Sequence, residues 1–313
     1  MTMVLLCGIP SEPPLARVVD RLEAIGAPHL VFDQQRWETA RLELELDRGA
    51  VRGQLALDGE AHPLEGFTGV YTRLMDDQSL PGVDTEPADS PRRQRCRRLH
   101  DLLLQWLEIA PARVVNRSGP MASNMSKPYQ AQLLLDQGFA IPPTLITNDP
   151  AEAREFFEEH GRVVYKSISG QRSIVQELHQ DDVDRLELIR WCPVQFQAFV
   201  EGSDVRVHVL GDHVFAARVD SAATDYRYAA QQGYTQPELR SVELSADTVR
   251  QCIAVTESLG LAFAGIDLRA GADGRTYCFE VNPSPAYSYY EAATDQPISA
   301  RLAEHLAGAE GRA

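Results

Sequence analysis

GIDLRAGADGRTYCFEVNPS, residues 265–284, is the stretch whose reading decides the fold. Side chains alternate across a strand. Asp267 and Arg269 therefore share one face of a first strand, with Ile266 and Leu268 opposite. In the return strand Cys278, Glu280 and Asn282 share a face, and Tyr277, Phe279 and Val281 take the other. A four-residue loop, Gly271 to Gly274, would set Asp267 opposite Cys278 and diagonal to Glu280, about 7–8 Å away. Two carboxylates and an amide oxygen then converge on one small volume. Hard divalent cations take oxygen ligands, and magnesium needs only one or two protein carboxylates, its other positions going to water and phosphate oxygens. Asp267, Glu280 and Asn282 suit that ion. The plainer alternative is an edge hairpin whose polar face meets water. Against it stand the dense apolar face and the Asn-Pro-Ser-Pro stop, which holds Asn282 at a strand terminus.

The rest of the composition narrows the class. At 313 residues and 44% hydrophobic, the chain can bury a real core and form two or three compact units. A net charge of −15 argues against a nucleic-acid partner, because phosphate binding needs a basic face. Five scattered cysteines without a Cys-x-x-Cys pair indicate neither a zinc site nor a disulfide framework. The start carries no basic segment before its short apolar run, and no run of about 18 apolar residues occurs. A soluble cytoplasmic protein with no membrane partner is the expectation. The one basic run, Arg92 to Arg98, opens a helix against its macrodipole. It reads as a solvated helix start, with an acidic partner as the alternative.

Periodicity orders the remaining elements. Val4 to Cys7 is a strand; Leu15, Val18, Val19, Leu22 and Ile25 fall at helical spacing, closed by Gly26; Leu30 to Phe32 is a second strand. No G-x-G-x-x-G follows the first strand, so the unit is Rossmann-like in layout without a dinucleotide fingerprint. Leu42–Leu46 and Val51–Leu57 form a hairpin, Val70 and Tyr71 a further strand, and Asp76–Pro91 a mobile loop. Beyond residue 115 a second region begins. Ser126 precedes a helix stopped at Gly138, and Asp149-Pro150-Ala151-Glu152 opens another that ends near Gly161. VVYKS then delivers Lys166 from a buried strand, residues 194–219 alternate as antiparallel strands turning at Gly211 and Asp212, and a helix from Ser245 leads to the hairpin.

These elements present Lys127 at a helix start, Lys166 at a strand end, Asp204 and Arg206 in EGSDVRV, and Arg227 in TDYRY. Cations beside a magnesium site describe a nucleoside triphosphate pocket that lacks the Walker A spacing. Over residues 116–308 this order of parts resembles the ATP-grasp enzymes. VRVHVLGDHVFAARV and FEVNPSPAYSYYEAAT are similar to the RimK-like branch, and TLITNDPAEAREFF and PVQFQ to the graspetide, or microviridin-type, peptide ligases. The resemblance implies an α/β fold of the α+β ATP-grasp kind. A Rossmann-like pre-ATP-grasp domain would span 1–115 and an ATP-grasp domain 116–308, its lid subdomain at about 127–197 and its C-terminal subdomain at about 198–308 gripping ATP between antiparallel sheets. It implies that Lys127 and Lys166 contact ATP phosphates, that Gln197, Ala198 and Phe199 form the hinge around adenine, and that Asp204 holds the ribose. Arg227 would neutralise the transferring phosphoryl group, and Arg206 would face phosphate or the acceptor carboxylate. Asp267, Glu280 and Asn282 would hold two Mg2+ ions, with Mn2+ as a substitute. ISGQRS after Lys166 departs from a Gly-rich flap, and Tyr71-Thr72-Arg73 sits where relatives carry a substrate-facing arginine.

The activity so implied is an ATP- and Mg-dependent ligase. A carboxylate is activated as an acyl phosphate and joined to an amine or hydroxyl, on a peptide or amino-acid substrate, by way of peptide modification or macrocyclisation. Rival readings are a small-molecule amino-acid or dipeptide ligase, a kinase-like phosphoryl transferase, and a non-catalytic ATP-binding regulator. A homodimer is left open.

Overall fold

The computed structural model describes residues 3–168, 174–230 and 233–309, with the Arg227 side chain excepted. The chain divides into two compact units. The first takes the chain up to Met121, Gly260–Phe263 and everything from Ser284 onward; the second takes Ala122–Leu259 and Ala264–Pro283.

In the first unit, β1 (Met3–Gly8), β2 (His29–Asp33), β3 (Arg41–Asp47), β4 (Ala50–Leu57), β5 (Glu60–Pro63), β6 (Phe67–Thr72) and β7 (Arg113–Val115) build two sheets. One is parallel in the order β2-β1-β6-β7, and the other is the antiparallel β3-β4-β5. A parallel pair needs a crossover. Helix α1 (Pro13–Ala24) supplies it, burying Leu15, Val18 and Leu22. Because helices cover such a sheet on both faces, Val4 to Cys7 is buried without alternation. The C-terminal helices Ser288–Thr294 and Ile298–Ala307 complete this unit. Gly69 in β6 has to be glycine, since a Cβ there would collide with the carbonyl of Leu306.

Two expectations change here. Asp76–Pro91 is packed rather than loose: Leu80 and Val83 are buried with Trp37 and Cys96. The arginine run is used internally. Helix α2 (Pro91–Ile109) is capped by Ser90, whose hydroxyl accepts from the Arg93 N–H at 3.1 Å. Arg92 pairs with Glu38 and Glu86, Arg97 reaches the buried Asp77 at 3.2 Å, and Arg92 and Arg95 lie over the Trp37 ring. The acidic partner of that run lies within the same chain.

In the second unit, β8 (Thr144–Thr147), β9 (Val163–Ser167), β10 (Gln176–Glu177) and β11 (Val194–Ala198) form a sheet in the order β10-β9-β11-β8. Strands β12 (Gly202–Leu210), β13 (His213–Asp220), β14 (Glu238–Ser241), β15 (Phe263–Gly271) and β16 (Thr276–Asn282) form another, ordered β14-β13-β12-β15-β16. Helices α3 (Lys127–Asp136), α4 (Pro150–His160) and α5 (Ala246–Ser258) accompany them. Asp149 caps α4 by accepting from the Ala151 N–H at 2.8 Å, and the positive-φ Gly161 ends it. One face of the first sheet packs Val163 and Phe196 with Ala153, Leu178, Leu186 and Ile189. By alternation, Val164, Lys166, Gln195 and Gln197 are turned to the other face. Among the described residues no helix is long and apolar enough to cross a membrane.

Candidate functional site

The hairpin forms with a different register from the one expected. Ala270 pairs with Thr276, leaving five residues in the turn, and the ladder shifts again between Asp267 and Leu268. Leu268 pairs with Cys278, and Asp267 pairs directly with Glu280. A β-bulge at Phe279 accounts for the second shift, since two residues on one strand oppose one on the other. The two one-residue offsets add. They return Glu280 to the face of Asp267 and bring it from a diagonal position to a directly opposed one, where Cβ atoms stand about 4.5–5.5 Å apart. Cys278, expected opposite Asp267, is instead buried opposite Leu268. Asn282 pairs with Gly265 at the strand end.

Like charges placed directly opposite repel, and each carboxylate here is met by a cation. Lys127, at the first turn of α3, puts Nζ 2.7 Å from Glu280 Oε2. Arg206, from the neighbouring β12, puts Nη1 2.7 Å from Asp267 Oδ1. The Arg206 side chain is 7% exposed, so this pair is largely removed from water. As a donor set, two carboxylates and an amide oxygen fit magnesium. Among the described residues there is no cluster of three or more His, Cys, Asp or Glu side chains able to hold a metal.

Next to the hairpin, a cleft runs between the two sheets of this unit. Val164, Lys166, Gln195 and Gln197 line it from β9 and β11, while Asp267, Leu268, Phe279 and Glu280 line it from the hairpin. Ala198, Phe199 and Asp204 line it too. The N–H groups of Ala198 and Phe199 are already donated to the carbonyls of Pro143 and Arg162, both at 2.9 Å, and the Gln197 amide donates to the Thr144 hydroxyl. Asp204 is held by a residue to which the sequence assigned no role. Arg269 binds both of its carboxylate oxygens, at 2.8 and 3.0 Å, and the carbonyl of Val200. Its guanidinium also lies 5.2 Å from the rings of Phe199 and Phe279. Burial raises the Asp204 carboxyl above the usual carboxylate range, against the lowering effect of Arg269. Alternation had already placed Arg269 on the face of Asp267. Its bond to Asp204 joins positions 65 apart, which no local pattern reveals.

Three expected parts stand apart from this arrangement. Arg227 lies in the helical turn Tyr226–Tyr228, with its side chain outside the described residues. Of ISGQRS, residues 169–173 also lie outside them. Arg73, in the first unit, is clamped by its neighbours. It binds Glu12 through two nitrogens, at 2.9 and 2.5 Å, and reaches Ser284 Oγ and the Pro285 carbonyl at 3.1 Å.

Comparison with known proteins agrees with this geometry. Residues 124–306 match the RimK-like ATP-grasp domain. A Pasteurella multocida protein named "Probable alpha-L-glutamate ligase" is 30% identical over 215 residues, covering 65% of this chain and 67% of its own. The solved structure of the ATP-grasp ligase PsnB, complexed with a phosphomimetic variant of a minimal precursor, Mg and ADP, superposes with a TM-score of 0.80 at 29% identity, covering 98% of both chains. A RiPP-associated ATP-grasp ligase from Chryseobacterium gregarium shares the fold at a TM-score of 0.84 and 21% identity, covering 99% of this chain and 97% of that one. The expected α/β architecture with several antiparallel sheets is the observed one. This chain belongs to the RimK-like ATP-grasp family of ligases, whose chemistry uses ATP and magnesium.

Proposed function

We propose that this enzyme activates a carboxylate of a peptide as an acyl phosphate and joins it to an amine or hydroxyl. The observation that carries the reading is the direct pairing of Asp267 with Glu280, each beside a cation, at one edge of the cleft. Asp267, Glu280 and Asn282 would hold Mg2+, which when bound supplies positive charge against the triphosphate. Lys127, Lys166 and Arg206 add the protein's own fixed cations, with Arg227 as the fourth. Attack of an anion on an anionic phosphate proceeds only when that repulsion is screened, and preorganised charge in a partly dry cleft does this best. The apolar walls of Val164, Phe199, Leu268 and Phe279 suit a flat base, and Asp204, oriented by Arg269, suits a ribose hydroxyl. Positioning of the two substrates does the rest, so no acid–base residue is assigned.

The 29% identity to PsnB, solved with a precursor peptide and AMPPNP in one of its structures, supports a peptide substrate. The relatives named alpha-L-glutamate ligase favour a second reading, addition of a free amino acid. A phosphate-release assay with precursor-like peptides and with free amino acids, each product weighed by mass spectrometry, tests both. Loss of one water per bond within a peptide supports the first reading, and gain of an amino-acid residue supports the second. Stable gain of a phosphoryl group would overturn both.

A further inference from the structure

An arginine outside the cleft ties its two walls together. The chain passes from one sheet of the second unit to the other between β11 and β12, and its hydrogen bonds show where it changes sides. The N–H groups of Ala198 and Phe199 go to the carbonyls of Pro143 and Arg162, on the side of the first sheet. The carbonyls of Val200 and Glu201 accept from the Arg269 guanidinium at 2.8 Å and from the Ala272 N–H at 2.9 Å, on the side of β15. Gly202 comes next, where a Cβ would collide with the Ala270 carbonyl, so the start of β12 sits tight against the end of β15. A crossing fastened on both sides leaves the torsions around the Phe199–Val200 peptide as its soft point.

Arg162, immediately before β9, reaches across that point. Its Nε and Nη2 bind the two carboxylate oxygens of Glu177 on β10, at 2.8 and 2.9 Å, which holds the guanidinium on the first sheet. Its Nη1 donates to Glu201, beyond the crossing. The same guanidinium lies 3.5 Å from the centre of the Phe199 ring, and Arg269, bound to Asp204 of β12, lies 5.2 Å from it. Phe199, a wall of the cleft, therefore has a cation from each sheet against it, while Arg162 is not one of the lining residues. A guanidinium can fork onto one carboxylate and keep a donor for a second in fixed geometry, which an ammonium cannot do.

Resting on the reading of this cleft as the nucleotide site, we propose that Arg162 is a positioning residue that braces the crossing from outside the cleft, setting how far apart the two sheets stand and where Phe199 lies before a nucleotide arrives. The brace acts through Glu201. With side chains 46% and 69% exposed, the pair shifts an equilibrium by at most about fivefold. Without it the sheets sample other separations, and nucleotide affinity falls with the fraction of molecules in the binding-competent one.

The test is a distance measurement between two spin labels. Cys192, exposed just before β11, takes one label and Asp212→Cys, in the exposed β12–β13 turn, takes the other; the remaining four cysteines are buried. Without nucleotide, this protein should give one narrow distance distribution. Glu201→Gln, which leaves the fork on Glu177 in place, should broaden the distribution, and ATP with Mg2+ should narrow it again. Calorimetry should show ATP bound up to about fivefold more weakly by Glu201→Gln. The loss should appear in KM for ATP and not in kcat, because saturating nucleotide restores the braced separation. Adding Glu201→Gln to Arg162→Met should broaden the distribution no further than Arg162→Met alone, since both changes break the same bond. An unchanged distribution in Glu201→Gln, a broadened one without loss of ATP affinity, or further broadening in the double variant overturns the brace and leaves the site reading intact. Failure of the wild type to bind ATP at all overturns the site reading and the proposal with it.

Discussion

Lys127 and Glu280 stand 2.7 Å apart, which pairs a residue expected on phosphate with a residue expected on metal. Arg206 and Asp267 repeat the relationship at the same distance. In the structure the two carboxylates and the two cations pair with one another. On the proposed reading of the site, a metal arriving alone would displace a cation, and a triphosphate arriving alone would displace a carboxylate. Arriving together, they would exchange partners and leave no charge unpaired.

Metal and nucleotide should therefore bind with mutual support. Mn2+ used as a spectroscopic probe should bind the free protein at least about tenfold more weakly than the ADP-bound protein, a typical coupling between linked sites. Lys127→Met should narrow that gap by freeing Glu280 in the ligand-free state. Equal Mn2+ affinity with and without ADP would remove the partner-exchange account.

Glu280→Gln should lower turnover by about a hundredfold or more, the scale on which loss of one preorganised electrostatic group is felt. Its fold should persist. The Lys127–Glu280 pair lies mostly out of water, with side chains 14% and 20% exposed, but the amide keeps an oxygen that accepts from the Lys127 ammonium, so no donor is stranded. Chelation with EDTA should likewise stop turnover without lowering Tm. A Glu280→Gln enzyme of normal activity would exclude this carboxylate as a ligand.

Arg73→Met should destabilise the protein. The Arg73 side chain is 7% exposed, and its loss strands Glu12 and two acceptors at Ser284 and Pro285. Removing one partner of a fully buried pair costs about 3–5 kcal/mol. Glu12 is one-third exposed, which reduces the expectation to about 2 kcal/mol. Arg73→Lys should recover part of it, because an ammonium cannot reproduce the fork that grips both carboxylate oxygens. Urea unfolding midpoints measure both; an unperturbed Arg73→Met would show that the clamp is incidental.

His208 supplies a pH dependence. It is 1% exposed on β12, and burial, with a further contribution from Arg206, lowers its pKa well below the ordinary 6.5. The folded protein keeps the ring neutral while the unfolded chain takes up a proton below about pH 6.5. Stability is accordingly complete above that value and falls as pH drops from 6.5 toward the folded-state pKa, by up to about 1.4 kcal/mol per pH unit. His208→Phe should flatten that part of the profile. A wild-type stability curve with no extra slope below pH 6.5 would contradict the assignment.

Helix boundaries in this chain were legible because their determinants are local. Asp149-Pro150 opens α4 and Gly161 ends it, Gly26 follows α1, and the Gly211-Asp212 turn joins β12 to β13. Asp76–Pro91 misled for the same reason. Its Asp, Pro and Ser content describes the backbone, while Leu80 and Val83 are anchored by Trp37, some 40 residues away in sequence. The arginines of α2 are similar: their partners Glu38, Asp77 and Glu86 come from other segments.

By itself the sequence determined which residues could carry the chemistry. Strand alternation and residue type suffice to put Asp267, Glu280 and Asn282 on one polar face, and to deliver Lys166 from a buried strand. Only the tertiary structure decided how they meet. A bulge and a five-residue turn made Asp267 and Glu280 direct partners, and the neighbouring β12 and α3 set Arg206 and Lys127 against them. Arg269 closed on Asp204, and Gln195 was left with its acceptor unpaired. Period and composition act over a few residues along the chain, whereas pairing of charges and burial of an amide depend on atoms that come together only when distant strands pack.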